Sequence, residues 1–288
     1  MTAIVRLIRP RDWLKNVFVL MPLPFALGAS GTFEPLVVVV GLAAMSLVSS
    51  AAYVFNDLWD AGRDRLHPDK QRRPIAAGAV SPVAAGLLGL ALAAAGGGLA
   101  IAGAPAGAGV VLLGYAGLQL VYTLYGKHLP LVDVTLLSSG FVLRVLLGCA
   151  LVGVTPSSWL LLCSSSLALF LALAKRRGDL LRGVDDTHRP SLAGYSRVFL
   201  EQGLTIAAGL TIMGYALYCM DAPVLAPGRE FLTLPFVVFG VLEYLRIVHV
   251  HGAGAAPVDV LLSSRSLLAC GAGWVVAALY SVGAVTVP

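Results

Sequence analysis

Nine long, mostly apolar stretches dominate the chain and limit what it can fold into. A helix needs about 20 mostly apolar residues to cross the hydrocarbon core of a bilayer. The composition agrees, because 58% of the 288 residues are apolar and only 12% are charged, whereas soluble domains carry about 25% charged residues. The sequence therefore predicts an all-α, polytopic membrane protein with nine transmembrane helices. The predicted spans are Val17–Ser30, Leu36–Phe55, Pro82–Ala102, Gly107–Tyr125, Pro130–Val152, Ser158–Ala174, Leu200–Met220, Phe231–Val248 and Leu267–Val285.

Lys and Arg residues are distributed unequally between the segments that connect these spans. If nine helices thread the bilayer in alternation, 18 of the 20 basic residues fall on one side and Arg229 alone on the other, with Arg144 inside the fifth span. Loops rich in Lys and Arg remain in the cytoplasm. The pattern predicts a plasma-membrane protein with a cytoplasmic N-terminus. No internal repeat and no linker composition appears, so residues 1–288 are predicted to form a single domain. The net charge of +5 then describes one face of a membrane protein and gives no support to nucleic acid as a partner.

A cluster of acidic and amide side chains closes the second predicted span. Asn56, Asp60 and Asp64 are four residues apart, so they share one face if the segment is helical. Clustered carboxylates repel one another unless a cation lies among them, and Mg²⁺ prefers oxygen ligands. The cluster therefore predicts a magnesium site. The alternative is a solvated helix end whose acids pair with Arg63 and Arg65.

Basic residues follow the acidic cluster within a few positions. Lys70 and Arg73 lie six and nine residues after Asp64. Lysine binds a phosphate as a point charge, and arginine binds it through a bidentate fork. Acids and bases together at a membrane boundary favour a site for a metal and a phosphorylated substrate over a simple solvated helix end.

Several segments of the chain resemble one superfamily of membrane enzymes. Residues 56–64, NDLWDAGRD, fit the N-D-x-x-D-x-x-x-D signature of the UbiA superfamily of intramembrane prenyltransferases. Residues 67–78, HPDKQRRPIAAG, are similar to the H-P-x-K-x-x-R-P-I-A-x-G continuation of its decaprenyl-phosphate phosphoribosyltransferase branch. Residues 9–16, RPRDWLKN, are similar to the R-P-x-x-W-x-K-N opening of that branch. The resemblance implies a nine-helix protein that binds a diphosphate through Mg²⁺.

Three consecutive cations, Lys175 to Arg177, follow the sixth predicted span. Typical aromatic prenyltransferases of the superfamily carry a second aspartate-rich motif there, which holds another Mg²⁺. The resemblance therefore implies one metal-bound diphosphate and one phosphate that cations bind directly. These are the substrates of the phosphoribosyl branch, phosphoribosyl pyrophosphate and a polyprenyl phosphate. The alternative is a positive-inside signal that has no contact with substrate.

The resemblance implies a pentosyltransferase in which an oxygen of the lipid phosphate attacks ribose C1 and pyrophosphate leaves. Because the lipid phosphate is already ionised, the reaction needs alignment and charge stabilisation more than a strong base. The residues assigned to catalysis are Asn56, Asp60, Asp64 and Lys15, the first three as metal ligands. The residues assigned to substrate binding are Asp57, Arg63, Lys70, Arg73, Tyr122, Lys127, Asp133, Arg144, Lys175 and Arg176.

Arg144 lies inside a predicted span, where an ionisable side chain is costly and indicates a function. Asp133 precedes it by eleven residues on the same predicted helix, so the two share a face about 16 Å apart. This distance is too long for a direct ion pair and predicts that another group or a substrate lies between them. The alternative is a structural arginine that binds backbone carbonyls.

Two polar pairs near the eighth span have simpler interpretations. Glu243 and Arg246 are three residues apart and are expected to form an ion pair. The phosphoribosyl branch is expected to carry arginine near position 243, so Glu243 is a departure that bears on the exact substrate. His249 and His251 point apart on a helix, and the segment is predicted to be a loop and not a metal site.

Two other functions remain open from the sequence. The first is a UbiA-type prenyltransferase that moves a prenyl group from a prenyl diphosphate to an aromatic or tetrapyrrole acceptor. The second is a transporter, which is disfavoured because transporters tend to contain inverted repeats and mid-membrane sites. This chain shows no internal repeat and concentrates its polar residues on one side.

Overall fold

The computed structural model describes residues 2–30, 32–66, 70–183, 190–250 and 257–283. The first three residues of the HPDKQRRPIAAG motif, 67–69, and His251 lie outside the described residues. No β-strand occurs within the described ranges, so the all-α fold class is confirmed. The α-helices are α1 (Thr2–Ile8), α2 (Leu23–Ser30), α3 (Pro35–Asp64), α4 (Pro82–Gly103), α5 (Ala106–Leu124), α6 (Val132–Val152), α7 (Ser158–Leu181), α8 (Arg197–Asp221), α9 (Leu234–Val250), α10 (Pro257–Ser263) and α11 (Arg265–Ser281).

Six helices, α3 to α8, are long and apolar enough to cross a bilayer. A seventh crossing is formed if α10 and α11, which meet at an angle of 87°, are counted as one broken span. α9 and α11 have 17 residues each, or about 25 Å at the helical rise of 1.5 Å per residue. The chain is therefore a multi-pass membrane protein, and six or seven spans, not nine, meet these criteria among the described residues.

The first predicted span, Val17–Ser30, is not a single α-helix. Its first part belongs to a 3₁₀ helix, Pro10–Leu20, which we call the N-terminal 3₁₀ segment, and its second part is the eight-residue helix α2. Pro22 and Pro24 explain the break. Proline lacks a backbone N–H and disfavours a helical conformation in the residue before it.

The second predicted span ends at Phe55, whereas α3 continues to Asp64. The added turns carry charged side chains that cations from other parts of the chain neutralise. Asp57, for example, forms ion pairs with Arg9 and Arg73. As a result, the whole acidic cluster lies on one continuous helix whose apolar part crosses the membrane.

α6 lies at the centre of the helical bundle. It packs against α3, α5, α7 and the N-terminal 3₁₀ segment. A Cβ on Gly148 would lie 2.1 Å from the backbone oxygen of Val19, so only glycine permits this approach. One hydrophobic core joins α3, α5 and α6, and another joins α7, α8 and α9. Both groups of helices contribute residues to a large cavity.

Candidate functional site

A cavity of about 720 Å³ opens inside the bundle and is lined by the N-terminal 3₁₀ segment, α3 and α5 to α11. Among the described residues, nine Lys or Arg side chains and four Asp side chains line it. This excess of positive charge suits ligands that carry several negative charges. The nine cations are Arg9, Arg11, Lys15, Arg63, Lys70, Arg73, Lys127, Arg144 and Lys175.

The remaining wall of the cavity is largely apolar. It includes Phe18, Phe141, Phe170, Leu171 and Trp274. Aromatic and aliphatic walls beside a few polar groups are typical of sites that bind amphipathic ligands. The cavity therefore combines a cationic part with a part that suits a hydrocarbon chain.

The acidic cluster presents one face of α3 to this cavity. Asn56, Asp60 and Asp64 all line it, as their helical spacing predicts. Asp57 is absent from the lining and is 2% exposed. The structure thus separates three oxygen-bearing side chains that can contact a ligand from a fourth that lies behind them.

Lys127 contacts two residues of this face. Its Nζ lies 2.6 and 2.7 Å from the two carboxylate oxygens of Asp60 and 3.4 Å from Oδ1 of Asn56. The 3₁₀ turn Gly126–His128, which follows α5, places Lys127 here, and the side chain is largely buried. Thr123, in the last turn of α5, donates a second hydrogen bond to Oδ1 of Asn56 at 3.4 Å.

Arg73 connects the two sides of the acidic cluster. Its Nη1 donates to Asp57 at 2.9 Å and to Asp64 at 2.8 Å. Arg9 contacts both oxygens of Asp57 at 2.7 and 2.9 Å, and it has a left-handed backbone conformation with φ of 55°. Lys70 also lines the cavity. Among the residues that the structure describes, the acids thus pair with cations from other segments and not with Arg63 or Arg65.

Lys15 and Lys175 are two further cations that line the cavity. The Nζ of Lys15 lies 2.6 Å from Asp12 and 5.5 Å from the centre of the Tyr53 ring. Lys15 thus pairs with a carboxylate that lies outside the acidic face of α3.

Arg144 is buried and lies next to Phe141 of the apolar wall. It donates to Oδ1 of Asn16 at 2.9 Å, to the carbonyl of Gly140 at 2.7 Å and to the hydroxyl of Tyr115 at 3.0 Å. Its guanidinium also stacks over the rings of Tyr115 and Phe141. Arg144 therefore does not pair with Asp133. Its hydrogen bond to the carbonyl of Gly140 agrees in part with the alternative of a structural arginine that binds backbone carbonyls. Arg144 nevertheless lines the cavity.

Asp133 and Arg176 lie behind the cavity wall and are both fully buried. Arg176 Nε donates to Asp133 at 2.5 Å, and Nη1 donates to Asp179 at 2.9 Å. Asp133 also accepts hydrogen bonds from Ser191 and Tyr195. This geometry does not favour the predicted direct contact of Asp133 or Arg176 with substrate, because each side chain is fully buried and bonded to protein groups.

The basic run after the sixth span splits in three directions. Lys175 lines the cavity, Arg176 contacts Asp133, and Arg177 contacts Glu201 together with the carbonyl of Val248. Consecutive residues on an α-helix point about 100° apart, so three neighbours cannot share one phosphate. Of the three, Lys175 alone lines the cavity, so the run does not present a single cluster of three cations to a ligand.

Two other predicted residues lie at the cavity with protein partners. Tyr122 lines it, and its hydroxyl accepts a hydrogen bond from Arg176 at 3.3 Å. Arg63 lines it as well, with Nη1 at 3.4 Å from Nε2 of His128. Arg176 does not line the cavity itself, but it thus contacts Tyr122, which does.

Glu243, Arg246 and His249 are not among the described residues that line the cavity. Arg246 forms the expected ion pair with Glu243, at 2.7 and 2.8 Å. The predicted loop is wrong for His249, which lies in the last turn of α9 with Nδ1 at 2.9 Å from the carbonyl of Leu245.

Sequence reasoning missed several residues in or next to the cavity. Arg9 and Asn16 lie in the opening segment that resembles the family, and that resemblance was the available signal. Tyr53 and Tyr115 lie within apolar helices, where tyrosine carries no distinct signal of a site. The contact of Arg144 with Asn16 joins residues 128 positions apart, which local patterns cannot reveal.

Asn56, Asp60 and Asp64 carry the oxygen ligands that Mg²⁺ prefers. Within the part of the chain that the structure describes, no three acidic, His or Cys side chains come close enough to hold a metal alone. Magnesium usually takes one or two carboxylates and completes its shell with water and substrate phosphates. The side chains therefore fit a metal that binds together with a phosphorylated ligand.

Comparisons with known proteins agree with this architecture. A profile of the UbiA prenyltransferase family matches residues 16–257. Decaprenyl-phosphate phosphoribosyltransferase of Corynebacterium glutamicum is 34% identical over 95% of this chain and 84% of its own length. The Mycobacterium tuberculosis protein of the same name is 30% identical over 95% of this chain and 92% of its own length.

A solved structure shows the same fold. A UbiA homolog from Archaeoglobus fulgidus, bound to GPP and Mg²⁺, superposes with a TM-score of 0.73 at 21% identity. The superposition covers 98% of this chain and 99% of the archaeal protein. The family profile, the relatives and the fold lead to one conclusion: the chain belongs to the UbiA prenyltransferase family.

Proposed function

We propose that this protein transfers 5-phosphoribose from phosphoribosyl pyrophosphate to a decaprenyl-like polyprenyl phosphate, in a reaction that depends on Mg²⁺. The observation that carries the proposal is one cavity in which two groups of cations meet an apolar wall. Such a cavity suits a sugar phosphate and a lipid phosphate together. The similarity to two decaprenyl-phosphate phosphoribosyltransferases over 95% of the chain supports this pair of substrates.

The structure suggests how the two substrates divide the cations. Lys127 and Arg73 already contact carboxylates of the acidic face, so we assign them, with Lys70, to the pyrophosphate. Lys15 and Lys175 lie beside the apolar wall, three residues before Phe18 and four after Leu171. We assign them to the phosphate of the lipid, whose hydrocarbon chain would lie against that wall.

Arg144 is well placed to support the reacting centre. Its guanidinium lies over the ring of Phe141 in the apolar wall, and three protein groups fix its orientation. A side chain held in this way contributes charge without a cost of reorganisation when the substrates react. We therefore place it near the phosphate of the acceptor lipid.

The proposed reaction forms one bond and breaks one bond at ribose C1. An ionised oxygen of the polyprenyl phosphate attacks C1, and the C1–O bond to pyrophosphate breaks, so pyrophosphate leaves with the bonding electrons. Lys127, Lys70 and Arg73 stabilise the charge that develops on pyrophosphate, while Lys15 and Lys175 align the attacking phosphate. No side chain needs to remove a proton.

Asn56, Asp60 and Asp64 would hold the magnesium ion, which supplies charge neutralisation for the diphosphate. Asp57 orients Arg73 and Arg9 from behind these three residues. The presence of Mg²⁺ in the archaeal UbiA homolog supports this assignment by fold.

We further propose nine membrane crossings, with the N-terminus in the cytoplasm and the site at the cytoplasmic face of the plasma membrane. Eight described helices, α3 to α9 and α11, have 17 residues or more, and the N-terminal 3₁₀ segment with α2 would complete the ninth crossing. The excess of Lys and Arg on one side supports this orientation. Residues 1–288 are proposed to form one domain.

Labelled phosphoribosyl pyrophosphate, offered with polyprenyl phosphate and Mg²⁺ to membranes that contain the protein, tests the function. We expect label to enter the lipid phase, and Lys175→Gln to reduce this transfer more than Arg182→Gln, a matched loss of charge away from the cavity lining. A prenyl diphosphate with an aromatic acceptor is offered in parallel. Consumption of that donor without any labelled lipid would show that the protein is a prenyltransferase instead.

A further inference from the structure

The ammonium of Lys127 lies among oxygen atoms that we assign to the metal. Its Nζ is 2.6 and 2.7 Å from the carboxylate oxygens of Asp60 and 3.4 Å from Oδ1 of Asn56. Lys127 is only 8% exposed, so these groups provide much of the compensation for its charge. A divalent ion and an ammonium that share one carboxylate at such distances repel each other strongly.

We propose that Lys127 is a tethered cation that holds the metal-binding face in place and must leave Asp60 before a metal ion binds there. The proposal rests on the metal ligands of the proposed function. A lysine suits this role because its ammonium is a point charge on a flexible stem of four carbons. The hydrogen bond from Thr123 to Asn56 keeps the amide oriented when the ammonium moves away.

The arrangement makes metal binding depend on the diphosphate. Free metal has to displace an internal cation from Asp60, so it binds weakly by itself. A diphosphate offers Lys127 new oxygen partners and brings its own ligands for the metal. Metal and diphosphate therefore bind with positive coupling, which by thermodynamic linkage is the same in either order. The substrate thus loads as a metal complex, and the free enzyme remains largely metal-free.

Binding of Mn²⁺ alone to the purified protein, measured by electron paramagnetic resonance, tests the proposal. We expect Lys127→Gln to lower the Kd for Mn²⁺ by about tenfold or more, because it removes a close positive charge from the site. Arg182→Gln is the matched control, since it also removes one positive charge but lies away from the cavity lining, and its Kd for Mn²⁺ should equal that of the wild type. Equal affinity of the wild type and Lys127→Gln overturns the proposal, as does a failure of Lys127→Gln to bind Mn²⁺.

A second measurement tests the proposal if Lys127→Gln folds poorly. Lys127→Met keeps an unbranched side chain of similar reach, and Mn²⁺ should raise the Tm of this variant but leave the wild type nearly unchanged. Inorganic pyrophosphate, at matched free Mn²⁺, should strengthen Mn²⁺ binding more in the wild type than in either variant. A larger effect of pyrophosphate in the variants would contradict the proposed exchange.

These measurements separate the proposal from the proposed function. If no label from phosphoribosyl pyrophosphate enters lipid but Lys127→Gln binds Mn²⁺ more tightly, the tethered cation is supported and the donor is reassigned. If label enters lipid and the two proteins bind Mn²⁺ equally, the phosphoribosyltransferase stands and the tethered cation is overturned.

Discussion

Asp133→Asn removes a charge that lies wholly inside the protein. Asp133 and its partner Arg176 both have side chains with 0% exposure, and their atoms are 2.5 Å apart. Asparagine has nearly the same size, but Ser191 donates to Oδ2 and Tyr195 to Oδ1, so the amide keeps one acceptor oxygen and loses the other together with the charge. Removal of one partner of a buried ion pair costs about 3–5 kcal/mol. Because Asp179 still contacts Arg176 at 2.9 Å, we expect the lower end of this range.

Thermal unfolding in detergent micelles measures the effect. For a chain of this size, each kcal/mol lowers Tm by about 2 °C, so Asp133→Asn should lower Tm by about 6 °C. The control is Asp259→Asn, which breaks an exposed ion pair with Arg11 that is worth at most about 1 kcal/mol. The double variant Asp133→Asn, Arg176→Gln should lose no more stability than the single variant, because it removes both charges. A Tm for Asp133→Asn as high as that of Asp259→Asn would refute the reasoning.

Further predictions concern catalysis and packing. Asp60→Ala and Asp64→Ala should each lower phosphoribosyl transfer by about 100-fold while the protein still elutes as a folded species. Arg246→Gln changes an ion pair away from the cavity lining and should leave transfer unchanged. Retained activity in both aspartate variants would contradict the metal assignment. Gly148→Ala should lower Tm by several degrees, because its Cβ would collide with a backbone oxygen. At Gly117 no atom of another residue that packs against the helix lies within 4 Å of an added Cβ, so Gly117→Ala should leave Tm unchanged or raise it. Equal effects of the two glycine changes on Tm would contradict this packing.

The apolar stretches predicted most of the fold because each long helix in a membrane satisfies its own backbone hydrogen bonds. Hydropathy alone could not set the ends of the helices. α3 runs nine residues beyond Phe55 because its charged turns find partners such as Arg9, which lies 48 residues away from Asp57. The prolines at positions 22 and 24 were visible in the sequence and were sufficient reason to expect a break in the first span.

The candidate site was predictable where residues lie on one helix. The four-residue spacing of Asn56, Asp60 and Asp64 correctly places them on one face toward the cavity. The same rule of helical rotation, applied to Lys175, Arg176 and Arg177, would have separated them before the structure was known. Their partners on α6, α8 and α9 come from distant segments, so only the packed bundle reveals which cations remain at the cavity.

The central claim is tested most directly by the product of the purified protein. We expect incubation with phosphoribosyl pyrophosphate, polyprenyl phosphate and Mg²⁺ to give a lipid whose mass, measured by mass spectrometry, exceeds that of polyprenyl phosphate by one phosphoribosyl group. One pyrophosphate should be released for each lipid formed, and the Asp60→Ala variant should form about 100-fold less of this lipid. Pyrophosphate release without this lipid, or an unchanged lipid in the presence of folded protein and both substrates, would contradict the account.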